Sequence, residues 1–225
     1  MIPCAAATSR SRSWRRVSSI PRERASMSSL RERSGLEALI KPGRHGRGTG
    51  APGVTLRLFP PRALATVIAR KGGLDAATAA IKARFGVDPP ATPARTSNGS
   101  TAFIWSGPGH WLASSDVETP AAFEASLREA VGSAASVIDQ SAGRSIVRLS
   151  GPDARAVLAK MLPLDLHASV FPVGGAASSL AGHIGVQLWL LDATPAFEIA
   201  VMRSYAPTLW RLLVDSSAEF GVDVV

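Results

Sequence analysis

Cysteine is all but missing from this chain: Cys4 is the only one in 225 residues, which excludes a disulfide framework and any cysteine-based zinc site. No run approaches the roughly 18 consecutive apolar residues of a membrane-spanning helix, and no apolar core follows the early arginines as it would in a secretory leader. A soluble, cytoplasmic chain is the expectation. Acidic residues are scarce at one end only. Residues 1–50 carry 11 Lys or Arg against Glu23, Glu32 and Glu37, which accounts for the whole formal charge of +8, and the remaining residues balance to zero. A nucleic-acid-binding domain needs its positive field on the folded face that meets phosphate, so this distribution argues against nucleic acid as a partner. With 46% hydrophobic residues, the chain has enough apolar material for one large domain or two small ones.

Residues 1–26 are rich in Ser and Arg with no hydrophobic periodicity, so they are expected to be disordered; Met27 is an alternative start. Residues 27–53 read as an arm. A short helix over 28–40 runs through Leu30, Leu36, Leu39 and Ile40, and a glycine-rich irregular stretch follows Pro42, free or laid on a partner. That stretch contains Gly48-Thr49-Gly50-Ala51-Pro52-Gly53, a literal GxGxxG. A dinucleotide site needs a buried strand before this motif and a helix after it. Here an Arg-rich loop precedes it and a strand-like segment follows, so it is not read as a nucleotide site.

Beyond residue 53 strands and helices alternate. Strands are expected at 54–59, 64–69, 101–105, 111–113 and 136–138, and helices at 74–85, closed by Gly86, and at 119–131, with Pro120 just inside its start. The order is that of a ferredoxin-like βαββαβ unit over residues 54–140. Residues 141–225 repeat it: a strand at 144–149, a helix opened by Gly151-Pro152-Asp153, three strand-like runs, and a last helix capped by Ser204 and striped by Leu209, Leu212 and Leu213. The fold class is therefore α+β, two ferredoxin-like halves.

Candidate chemistry is sparse. Ser141, His183 and Asp139 could be assembled into a triad, but they lack a nucleophile elbow, and chains with this many Ser and Asp yield such triples by chance. Asp139, two residues before Ser141, reads better as a turn-holding side chain, and Gly151 and Pro152 as helix-start residues. Arg144 and Arg148 share one strand face, where a half-buried guanidinium more often pairs with a carboxylate than binds substrate. Trp189 and Trp210 lie in apolar runs and read as core. Trp111, beside Gly107-Pro108-Gly109, reads as an exposed anchor for a partner, and Pro42, Gly43, Arg44, His45 and Gly46 as docking residues.

Val137-Ile138-Asp139-Gln140-Ser141 through Arg144-Ser145, Leu149-Ser150-Gly151-Pro152-Asp153-Ala154-Arg155, Leu164-Asp165-Leu166-His167 to Phe171-Pro172, Lys41-Pro42-Gly43-Arg44-His45-Gly46 and Gly109-His110-Trp111 together resemble the gamma subunits of heterotetrameric sarcosine oxidases. The resemblance spans residues 28–222 and implies the folate-binding-domain fold of the glycine-cleavage aminomethyltransferases. It implies a gamma chain with no catalytic, cofactor-binding or metal residue, and alpha, beta and delta partners that hold FAD, FMN, NAD, tetrahydrofolate and zinc. Where aminomethyltransferases carry an Asp pair after a glycine-rich segment, Gly185-Val186 is followed here by Gln187, Leu188 and Trp189. The first acid of that strand is Asp192, so the working carboxylate is expected to be lost. Two alternatives stay open: a gamma-type subunit of a related N-methyl-amino-acid dehydrogenase, and a stand-alone folate-binding protein.

Overall fold

Period-two alternation decides the first sheet. In Ala63–Ala69 (β3), residues 63, 65 and 67 are buried on one side and Leu64 on the other, and Thr101–Gly107 (β5) and His110–Ser115 (β6) are buried on both faces. In this computed structural model, which describes Leu36 and residues 39–225, β3 is followed by Leu74–Phe85 (α1), Arg95–Ser97 (β4), β5, β6, Pro120–Val131 (α2) and Ala135–Asp139 (β7). All described residues belong to one unit, residues 33–225. The expectations for residues 1–26, for Met27 and for most of the 28–40 helix lie outside the described residues.

The strands order as β4-β5-β6-β3-β7, every neighbour antiparallel. Without edge strand β4 this is the ferredoxin-like permutation. Both helices pack on one face, where the Phe85 ring meets Phe103 and Phe123 edge-on at 6.0 and 6.1 Å. The Thr119 hydroxyl accepts from the Ala122 amide and starts α2, and Gly86, left-handed at φ 65°, closes α1.

The second sheet is built from Gly43–His45 (β1), Val54–Leu58 (β2), Arg144–Ser150 (β8), Ala176–Ala181 (β9), Ile184–Asp192 (β10), Ala196–Met202 (β11) and Val222–Val224 (β12), ordered β1-β12-β2-β8-β11-β10-β9. Helices Ala154–Ala159 (α3) and Ala206–Ser217 (α4) cover one face, where Leu209, Trp210 and Leu213 join Leu188, Phe197 and Val201 in the larger core. Again the ferredoxin-like order is present, but β2 is inserted between β12 and β8. The sequence reading placed 54–58 in the first half. Val54 and Leu56 are fully buried in the helix-covered core of the second sheet, where Leu56 lies opposite Leu149 and the chain end pairs along the other side of β2.

The glycine-rich arm also differs from its expectation. Gly43–His45 pairs antiparallel with β12, and the amides of Arg47 and Gly53 donate to carbonyls of residues 218–221. The end of the chain supplies an otherwise open strand edge, and the arm closes it. Two helix starts shift as well: α3 begins after Asp153, whose side chain makes no capping bond, and α4 begins after Tyr205 with no cap from Ser204. The two sheets meet through their remaining faces, where Leu64, Ile104 and Leu112 pack on Ile146, Ala176, Trp189 and Ala200.

Candidate functional site

Between the sheets lies a buried carboxylate. On β11, Glu198 and Ala200 point inward, and the register sets Glu198 directly opposite Arg148 on β8 and Trp189 on β10. Arg62, after Pro60-Pro61 in the crossing from β2 to β3, reaches the same point. Its Nη2 donates to Glu198 Oε1 at 3.1 Å and its Nη1 to Oε2 at 3.2 Å. Arg148 Nη2 donates to Oε1 at 2.8 Å, and Trp189 Nε1 to Oε2 at 3.0 Å. Arg62 Nε also pairs with Asp116 at 3.2 Å. The Phe59 ring stacks with both guanidinium groups, with Arg148 Cζ at 4.4 Å and Arg62 Cζ at 4.7 Å from its centre.

Burial pushes the Glu198 carboxyl up, but the Arg62 charge, the Arg148 hydrogen bond and charge and the Arg62 hydrogen bond outweigh it, so the group sits below the usual glutamate range. Burial pulls Arg95 down, partly offset by Glu198. A carboxylate offers about four acceptor positions, and four donors fill them here. Glu198 is thus an ionised, saturated group, with no lone pair left to take a proton or to receive a ligand amine. Beside it a cleft of about 360 Å³ opens between the Phe59-to-Ala63 crossing and Ser115, Asp116, Glu118 and Pro120.

This cluster corrects the sequence reading, which found no carboxylate in the strand pair around Gly185 to Leu191. The acid is on the adjoining strand, directly opposite Trp189. Its signal was present: a glutamate inside Phe197-Glu198-Ile199-Ala200-Val201 breaks an apolar run, and a charge there must be paired. Arg148 has the carboxylate partner expected of it. Arg144 does not.

The other candidates stand apart. Ser141 is buried; its hydroxyl lies 2.6 Å from Asp139 Oδ1, and its amide donates to the same oxygen. The Ser141 hydroxyl also accepts from the Leu64 amide at 2.9 Å, tying the turn after β7 to β3. His183 lies in the β9–β10 turn and makes no hydrogen bond to Ser141, so the triad is not assembled. Replacing Ser141 by alanine leaves the Leu64 amide buried without its partner, and we expect a loss of about 1–3 kcal/mol in urea unfolding with no other functional consequence.

Trp111 is 2% exposed and donates from Nε1 to the Pro90 carbonyl at 2.8 Å, so it is not an exposed anchor. Strand parity explains this: facing Val67, it turns with Phe103 toward α1 and α2, whatever its distance from the hairpin tip. Gly151, at φ +126°, lies where a side chain would strike Gly53 and Val54, and Pro152 precedes α3. In the arm, Arg44 Nε donates to the Arg47 carbonyl at 3.0 Å and pairs loosely with Asp223, His45 Nε2 lies 2.6 Å from the Lys41 carbonyl, and Gly46 sits on the Ala218 backbone. Among the described residues no group of three or more His, Cys, Asp or Glu could hold a metal ion, and no helix is long and apolar enough to cross a membrane.

The family described as "Sarcosine oxidase, gamma subunit family" matches residues 71–219. The chain belongs to this family. Sarcosine oxidase subunit gamma of Corynebacterium sp. (strain U-96) is 34% identical over 146 residues, 64% of this chain and 70% of that one. The gamma subunit of Corynebacterium sp. (strain P-1) is 35% identical over 127 residues, 56% of this chain and 61% of the relative. Among solved structures, the heterotetrameric sarcosine oxidase from Corynebacterium sp. U-96 in complex with pyrrole 2-carboxylate contains a chain that superposes with a TM-score of 0.69 at 32% identity, covering 76% of this chain and 87% of that one. The glycine cleavage system aminomethyltransferase T from Bartonella henselae superposes at 0.55 and 18% identity, covering 77% of this chain and 48% of that one, which shows a shared fold and nothing more. The gamma-family chain thus has the folate-binding-domain-like α+β architecture, with an arginine-locked glutamate in the space between its sheets.

Proposed function

We propose that this chain is the gamma subunit of a heterotetrameric sarcosine oxidase and contributes shape rather than chemistry. In this reading the complex, cytoplasmic, converts sarcosine to glycine by oxidising its N-methyl group, with oxygen as electron acceptor and folate taking the one-carbon unit. The alpha, beta and delta subunits hold FAD, FMN, NAD, tetrahydrofolate and zinc, and gamma holds the large subunits in register. The observation that carries the non-catalytic part is Glu198: the carboxylate between the sheets already accepts four hydrogen bonds, from two arginines and a tryptophan, so a ligand entering there would have to displace a paired, buried charge. The outer edge of Gly43–His45, with Pro42 and Gly46 at its ends, is a contact surface in this proposal, since β1 ends its sheet.

Calorimetric titration of the purified chain with tetrahydrofolate and with sarcosine tests the proposal together with co-expression beside the large flavin subunits. The expected result is no heat of binding from either compound and co-purification with the flavoprotein. Micromolar folate binding by the isolated chain would instead support an autonomous folate protein.

A further inference from the structure

The inner face of the seven-stranded sheet extends past the sheet that covers it. Across β8, β11, β10 and β9, the rung Arg148, Glu198, Trp189, Ala176 lies under the five-stranded sheet, and so does Ile146, Ala200, Gln187 beside it. Gln187 Nε2 donates to the Trp105 carbonyl at 2.8 Å and lies 2.9 Å from Ser106 Oγ, which fastens that rung to the end of β5. One period further on, the same face presents Arg144, Met202, Gly185 and Leu180. No other described residue covers this rung. Met202 is 46% and Leu180 54% exposed, and a Cβ placed on Gly185 between them meets nothing within 4 Å.

Arg144 ends the rung. Its Nε is buried and has no hydrogen-bond partner, burial pulls its guanidinium down, and no carboxylate among the described residues compensates it. Four residues along the same strand face, Arg148 is held by Glu198. A desolvated guanidinium without an acid is costly in the isolated chain and becomes favourable once a carboxylate arrives. An apolar surface ending in a cation that no described carboxylate compensates fits a protein segment better than a small anion, because an anion on Arg144 would leave Met202 and Leu180 in water.

We propose that this open end of the sheet seats a partner subunit, which places an apolar side chain over Gly185 between Met202 and Leu180 and sets an Asp or Glu carboxylate on Arg144. The proposal rests on the reading of this chain as an assembled subunit. Buried, centrally placed anchors of this kind carry most of an interface's energy.

Two substitutions test it in the full chain co-expressed with its large subunits. Gly185→Val fills the hollow with a residue that suits a strand, so the isolated chain should unfold at or above the wild-type temperature. Arg144→Met removes the charge and keeps the stem. Each is expected to lower retention of the flavin subunits on tagged gamma chain by at least about tenfold while the free chain stays folded. A photo-crosslinking benzoylphenylalanine at position 180 should link to a partner subunit within a peptide that contains an acid. If the wild-type chain assembles and both variants assemble equally well, the seat is elsewhere and the subunit reading survives. Crosslinks between two copies of this chain would likewise overturn the proposal, and a wild-type chain that retains no flavin subunit would overturn both readings.

Discussion

Replacing Glu198 by glutamine should lower the stability of the isolated chain by about 3 kcal/mol, a fall of roughly 6–12 °C in Tm for a chain of this size. The neutral amide would turn a donor group toward two guanidinium groups that remain buried, with side-chain exposures of 14% for Arg62 and 32% for Arg148. The expectation is set at the lower end of the range for broken buried pairs because Arg148 is one-third solvated and Arg62 keeps Asp116. The sign of the pH dependence follows from the lowered carboxyl pKa. A carboxyl that is more acidic folded than unfolded stabilises above the ordinary glutamate range and loses that contribution as pH falls through its folded value. The gap between wild type and Glu198→Gln should therefore be full at neutral pH and close in acid, as read by thermal unfolding across pH. Changing Glu198, Arg62 and Arg148 together to methionine should recover part of the loss, since no charge is then stranded.

Gly151→Ala should be as damaging for a different reason. The residue sits at φ +126°, and an added Cβ would lie 2.5 Å from the Gly53 carbonyl oxygen and 2.9 Å from Val54 Cα. Both are backbone atoms. They are held in place because the Gly53 amide donates to the carbonyls of Phe220 and Gly221 and its carbonyl accepts from Asp153. Relief would require β2 to shift away from β8, so we expect a loss of about 3–5 kcal/mol and little soluble protein, measured by urea unfolding and by yield. Gly48→Ala, where the new atom meets nothing within 4 Å, should remain within about 0.5 kcal/mol of wild type.

Much of the fold could be read from local patterns; apart from the two helix starts and the facing of Trp111, its departures are nonlocal. The hairpin of β5 and β6, the stripes of α1, α2 and α4 and the proline and glycine ends of the helices are set by residues within a few positions of one another, so periodicity reveals them. Membership of β2 in the second sheet is not local: Val54 and Leu56 alternate as well for either sheet, and only contact with Leu149 and the chain end decides. The arm paired with β12 for the same reason. Trp111 is close to a hairpin tip, which suggests exposure, but strand parity fixes the side a tryptophan faces and turns it into the core. In the site, Arg148 and its need for an acid were visible in the strand pattern, but Arg62 lies 136 residues from Glu198, and no spacing rule joins them. Ser141 and Asp139 were within reach because an Asx-type turn is a local structure.

The distinction between a scaffold and a working site can be measured on the assembled enzyme. Complexes formed with wild-type chain and with Glu198→Gln should be compared for sarcosine oxidation per assembled flavin, with assembly scored separately by subunit stoichiometry. If the arginine-locked glutamate only holds the two sheets together, the variant yields less complex but each assembled complex turns over at the wild-type rate. A variant that assembles in full and has lost its turnover would contradict this and make Glu198 part of the chemistry.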